Sequence, residues 1–185
     1  MSPVTIALLV VVVIVLYIIS VYNKLTKSRI LVKEGWSGIA TFLQQRTDLI
    51  PNLVETVKGY ALHESSTLTE VVKWRNRAVA ANSAGEQIEA SNGLNKALVD
   101  FFALAEQYPD LKANTNFLSL QADLKEIEGK LNQSRRYYNG TVRDYNQSIA
   151  IFPNNIVAGI FNFVAEPFFQ EEAGAGATPK VSFTG

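Results

Sequence analysis

Few residues in this 185-residue chain are equipped for chemistry. His63 precedes Glu64 and so begins a His-Glu-x-x-His pattern, in which two imidazoles one helical turn apart bind zinc and the glutamate serves as base. Positions 65–67 are Ser-Ser-Thr and no second histidine exists, so the pattern lacks the ligands that zinc needs. Any Ser-His-acid triad would have to use the same imidazole, and no Gly-x-Ser-x-Gly elbow is present to present a nucleophile. The absence of cysteine removes thiolate ligands, thiol nucleophiles and disulfides. Neither a P-loop nor a dinucleotide fingerprint occurs. The acidic residues are scattered and mostly followed by basic ones, as in Glu126 and Lys130 at i,i+4. No catalytic, cofactor-binding or metal-binding residues are therefore expected, and no enzymatic activity.

A short repeat is more distinctive. Arg136-Tyr137-Tyr138-Asn139 and Arg143-Asp144-Tyr145-Asn146 both read R-x-Y-N, one heptad apart. On a helix this spacing stacks Arg136 over Arg143, Tyr138 over Tyr145 and Asn139 over Asn146 on one face. Tyr22-Asn23 supplies a third Tyr-Asn pair. A tyrosine buries its ring and keeps a donor at the tip, and an asparagine bonds across a helix interface. Such a face suits a polar layer that fixes the register of a helical bundle, or a surface for a ligand or partner.

Long helices must position that face. Seventeen Lys and Arg balance 17 Asp and Glu, yet no charge precedes Lys24. Val4 to Tyr22 contains nothing more polar than Thr, Ser and Tyr, close to the ~20 apolar residues a membrane-spanning helix requires. No basic residue precedes the run and no small-x-small site ends it, which favours an uncleaved anchor over a secretory signal. Lys24, Lys27, Arg29 and Lys33 all follow the span, so the N-terminus is expected outside and the body in the cytoplasm. The span lacks GxxxG and gives no support for a tight helix pair within the membrane. The body behind it is an ordinary polar domain, and a strongly basic nucleic-acid binder is excluded.

Within the body, Trp36, Ile39, Leu43, Ile50, Leu53, Val54, Val57, Tyr60 and Ala61 keep helical phase through Pro51, which argues for one kinked continuous helix, the alternative being a new helix capped by Asp48 and beginning near Pro51. The pattern restarts after Ser66 with Leu68, Val71, Val72 and Val79. Residues 80–93, rich in Asn, Ser and Gly, read as a loop. Leu94, Leu98, Phe101, Phe102 and Ala105 form a further stripe, closed by Pro109. From about Asn116 to Ala150, Phe117, Leu124, Leu131, Tyr138 and Tyr145 recur every seven residues as a heptad seam. The fold class expected is all-α: an N-terminal transmembrane helix followed by an antiparallel bundle of about four long helices.

Beyond Pro153 the chain turns aromatic, with Phe161, Phe163, Phe168 and Phe169, and Phe183 further on. The apolar run before Glu166 is too short to span a bilayer. Its phenylalanines are expected to cap the bundle core, lie in the membrane interface or pack against a neighbouring copy. The organisation expected is thus an outside N-terminus and anchor over 1–22, a helical bundle over 23–150, an aromatic-rich membrane-proximal segment over 151–172 and a flexible tail over 173–185.

Several blocks together resemble the LemA family: Tyr-Asn-x-Leu (22–25), Trp-Ser (36–37), Asp-Leu-Ile-Pro-Asn-Leu-Val-Glu-Thr-Val-Lys-Gly-Tyr (48–60), Ala-Asn-Thr-Asn-Phe-Leu-x-Leu-Gln (113–121), Arg-Arg-Tyr-Tyr-Asn (135–139), Arg-Asp-Tyr-Asn (143–146) and Phe-Pro (152–153). The resemblance covers nearly all of residues 1–170. Gly35 departs from it, since alanine is expected before the tryptophan. The resemblance implies a membrane-anchored antiparallel bundle with a short outside N-terminus, and it implies no activity. The function expected is a non-enzymatic scaffold at the bacterial cytoplasmic membrane, contacting lipid and further copies of itself. The alternative is an accessory subunit that docks another membrane protein. Tyr22, Asn23, Arg136, Tyr138, Asn139, Arg143, Tyr145, Asn146 and the four phenylalanines 161, 163, 168 and 169 are the candidate contact residues.

Overall fold

The computed structural model describes residues 2–61 and 65–169. Six helices and no strand occur among them: α1 (Pro3–Lys58), α2 (Ser65–Ala80), α3 (Ala84–Ala105), α4 (Pro109–Lys112), α5 (Thr115–Ala150) and α6 (Asn154–Ile160). The all-α expectation holds. His63 and Glu64, the 173–185 tail and Phe183 lie outside the described residues. The chain forms two compact units, one from Met1–Ile39 with Gln133–Phe168, the other built on Ala40–Asn132.

The Ala40–Asn132 unit packs the end of α1, α2, α3, α4 and the start of α5 around Ile50, Leu53, Val57, Val71, Leu94, Phe101 and Leu111, none more than 1% exposed. Helix α1 runs through Pro51 as its apolar phase requires. Proline has no N–H for the carbonyl four residues back, which leaves the Thr47 oxygen without its helical donor. Arg75 Nε, from α2, donates to that oxygen at 3.4 Å. Long-range satisfaction of the freed carbonyl is one reason the helix continues rather than ends.

Residues 80–93 are not a loop. Helix α3 begins at Ala84, where Ser83 accepts from the Glu86 N–H and the Glu86 carboxylate accepts from the Ser83 N–H, forming a capping box. Asn and Ser depress helix propensity only weakly, and a reciprocal cap outweighs them. Gly93 lies within the helix for a packing reason: a Cβ there would stand 2.3 Å from the Trp74 ring. The indole is also held at its Nε1, which donates to Glu70 at 2.8 Å.

In the other unit, α1 is bare at first. An 18-residue window has mean hydropathy 3.2 and is 6% buried, so the helix is long and apolar enough to cross a membrane. Side chains from Val4 to Tyr17 stay exposed, and burial begins at Ile18, Val21 and Leu25 against Ile149, Val157, Ala158 and Phe163. All five heptad positions of α5 are buried, Tyr138 and Tyr145 in this unit and Phe117, Leu124 and Leu131 in the Ala40–Asn132 unit.

Leu131→Ala should cost ~2–5 kcal/mol in chemical denaturation, whereas Lys125→Ala, exposed on the same helix, should stay within about 0.5 kcal/mol. Gly93→Ala should cost about 1–3 kcal/mol through overpacking against Trp74. Equal stability of Leu131→Ala and Lys125→Ala would show the seam to be on the wrong face.

Candidate functional site at the foot of the apolar helix

Helix α5 ends at Ala150, and a turn containing the cis Phe152–Pro153 peptide leads into α6. Asn154 ties the turn back by donating to the Ser148 carbonyl at 3.2 Å. Helix α6 stops in a Schellman motif: Phe163 N–H bonds the Ala158 carbonyl at 2.9 Å and Asn162 N–H bonds Gly159 at 3.4 Å. Asn162 takes φ 55°, a left-handed conformation that asparagine tolerates better than most residues. The chain then reverses and runs back along α5.

The repeated tyrosines and the second asparagine grip this returning strap by its backbone. Tyr145 Oη donates to the Val164 carbonyl at 3.0 Å, and Tyr138 Oη donates to the Pro167 carbonyl at 2.8 Å. Directly after Tyr145, the Asn146 carboxamide acts in both directions, donating to the Glu166 carbonyl and accepting from its N–H, each at 2.9 Å. The spacing explains the fit. Seven residues are close to two helical turns, so Tyr138 and Tyr145 stand on one face of α5 and both hydroxyls reach the returning backbone. Arg29 Nε adds an ion pair to the Glu166 carboxylate at 3.6 Å.

Aromatic rings close the ends of the clamp. Tyr22 meets Phe161 and Phe163 edge-on, with centroids 4.9 and 5.6 Å apart, and Trp36 meets Tyr138 at 5.4 Å. Phe169 is buried and Phe168 remains partly exposed. The arginines of the repeat do not join the clamp: Arg136 and Arg143 are exposed, the latter beside Asp144 at 3.2 Å. Asn23 is exposed and Asn139 is half-buried. Sequence reasoning missed Arg29, Asn162 and Glu166. Asn162 follows a short apolar helix as a C′ asparagine should, which was a legible signal.

Burial, with the nearby Glu166 carboxylate, raises the Tyr138 hydroxyl above its ordinary pKa. Burial likewise raises Tyr145, opposed by Arg29 and aided by Glu166. Both phenols are held neutral as donors, an arrangement that fixes backbone and offers no nucleophile. Among the described residues no group of three His, Asp or Glu side chains could hold a metal ion. A pocket of about 50 Å³ in the Ala40–Asn132 unit, lined in part by Arg46, Thr47, Gln87 and Ser91, has polar walls suited to ordered water.

These features define an all-α protein in which an apolar helix, a candidate membrane span, continues into packed helices and the chain is strapped back at the junction. The chain belongs to the LemA family, whose profile matches residues 35–183. It is 24% identical over 172 aligned residues to the magnetosome protein MamQ of Magnetospirillum gryphiswaldense, covering 79% of this chain and 63% of that protein. It is 25% identical over 152 residues to the protein LemA of Metamycoplasma hominis, covering 80% and 68%. The chain thus spans less than two thirds of the magnetosome relative's length.

A neutral phenol is the form the fold favours, so its stabilisation is present below the unfolded-state value near ~10 and is lost as pH rises through the higher folded value. Absorbance titration at alkaline pH should therefore show two late-titrating tyrosines that disappear in the Tyr138→Phe, Tyr145→Phe double variant. A titration curve that loses only early-titrating groups would refute the clamp. Each single Tyr→Phe should cost about 0.5–1.5 kcal/mol.

Proposed function

We propose that the protein is a non-enzymatic, membrane-anchored helical scaffold that assembles with further copies of itself at the cytoplasmic membrane. The observation that carries this reading is that the exposed, apolar start of α1, Val4 to Tyr17, continues within the same helix into residues packed by other helices from Ile18 onward. The polar residues that the sequence marks most strongly, Tyr138, Tyr145 and Asn146, are engaged in holding backbone, which suits a structural role better than a catalytic one. The lysines and arginines that follow the span support a cytoplasmic body.

A second reading, an accessory subunit of a membrane complex, is favoured by Tyr137, which is 53% exposed between Arg136 and the clamp tyrosine. An exposed aromatic beside a cation is a common element of protein interfaces.

Mass measurement in detergent and in lipid discs should give more than one copy per particle; a monomer at all concentrations would end the self-assembly reading. A different protein co-purifying from native membranes in fixed ratio would favour the accessory role. Protease added to intact cells should spare the body, and digestion of the body from outside would reverse the orientation.

A further inference from the structure

Two separate stretches of the chain carry no charge: residues 1–23, and everything between Asp144 and Glu166. The fold brings their ends together. Val157 and Ala158 of α6 pack on Val21 and Leu25, at the end of the uncharged run of α1. This uses one side of α6. The other side, and the turn before it, leave Ile151, Phe152, Ile156, Ile160, Phe161 and Val164 exposed, Phe152 by 74% and Ile160 by 63%. Lys24 and Lys27 are exposed on the adjacent turns of α1.

We propose that the α5–α6 turn and the outer side of α6 insert into the interfacial zone of the same bilayer that holds α1, as a second, non-spanning membrane contact. This rests on the reading of α1 as a membrane anchor. The occupant is argued from continuity: the exposed side chains of α6 stand beside the end of the apolar surface that α1 presents to lipid, so the two surfaces form one apolar band. Ile156 and Ile160 are one turn apart and point away from the packed pair Val157 and Ala158, which is the division expected of a helix lying in the interface plane. Tyr17 and Tyr22, 44% and 39% exposed, take the place of interfacial aromatics, and Lys24 and Lys27 reach the headgroup level. Asn154 and Asn155 are polar without charge, so entry to the headgroup region desolvates no ion.

The chain has no cysteine, so single-cysteine labelling is clean. The full-length protein, reconstituted in vesicles of phosphatidylcholine with a minority of phosphatidylglycerol, carries an environment-sensitive fluorophore at Phe152→Cys, Ile160→Cys, Val10→Cys or Lys125→Cys. All four side chains are exposed, so none of the labels disturbs the core. Nitroxide-labelled phospholipids with the spin near the headgroup should quench positions 152 and 160 strongly, nitroxides deep in the acyl chains should quench position 10, and neither should quench 125. Quenching at 10 with 152 and 160 open to aqueous iodide would overturn the second contact and leave the anchor standing. Blue-shifted emission at 152 and 160 without lipid quenching would overturn it in favour of a neighbouring copy. Loss of quenching at position 10 itself would remove the anchor, and the inference with it.

Discussion

The distance between α1 and α5 at Gly35 is the constraint on which the clamp depends. A Cβ at Gly35 would stand 3.2 Å from the Tyr138 Cα, closer than side chains normally approach backbone. The two helices can be this near because position 35 has no side chain, at a propensity cost of about 1 kcal/mol against alanine. Close approach seats the Tyr138 ring beside Trp36, with its hydroxyl on the Pro167 carbonyl. Glycine at position 35 is thus a matter of packing. An alanine would be accommodated only if α5 gave way by a few tenths of an ångström. That displacement would be felt at both tyrosines, since they lie on one rigid helix.

The clamp also explains why a short repeat recurs at seven rather than three or four residues. Seven residues are close to two helical turns, so both tyrosines stand on one face of α5 and each finds a strap carbonyl. Asn146 follows Tyr145, and its carboxamide supplies one donor and one acceptor to a single residue, as a neighbouring strand would. The strap therefore gains a fixed register although no strand lies beside it.

Much of this was legible in the sequence, and what was not has a physical reason. The heptad residues Leu124, Leu131, Tyr138 and Tyr145 and the uncharged leader declare themselves because helical periodicity and charge exclusion are properties of the side chains alone. The continuity of α1 through Pro51 was legible from the phase of its apolar stripe, although the Arg75 donor that satisfies Thr47 was not. The misreading of residues 80–93 came from weighing Asn, Ser and Gly content above the Ser83–Glu86 spacing, which was itself in view. The strap was hidden for a deeper reason: its acceptors are backbone carbonyls of Val164, Glu166 and Pro167, which every residue possesses and no composition reveals. The phenylalanines were marked as apolar, but composition cannot say that Phe163 turns inward on Tyr22 while Phe161 and Phe168 stay partly exposed.

A polar clamp suits a segment that, on the proposed reading, lies beside a membrane. Burial of apolar surface is non-directional, so beside a membrane a segment such as 161–169 would gain nearly as much by entering lipid as by folding onto α5. Apolar packing alone would leave the choice between the two open. Hydrogen bonds from Tyr138, Tyr145 and Asn146 to the strap's backbone resolve it, because the lipid interior offers no partner for the carbonyls of Val164, Glu166 and Pro167. Glu166 strengthens the choice, since its carboxylate faces Arg29 and would be costly to carry into hydrocarbon. The apolar side chains can then be divided by geometry: Val157, Ala158 and Phe163 inward, Ile156, Ile160 and Val164 outward. The bonds that hold the backbone decide which of them remain available to whatever lies outside the fold.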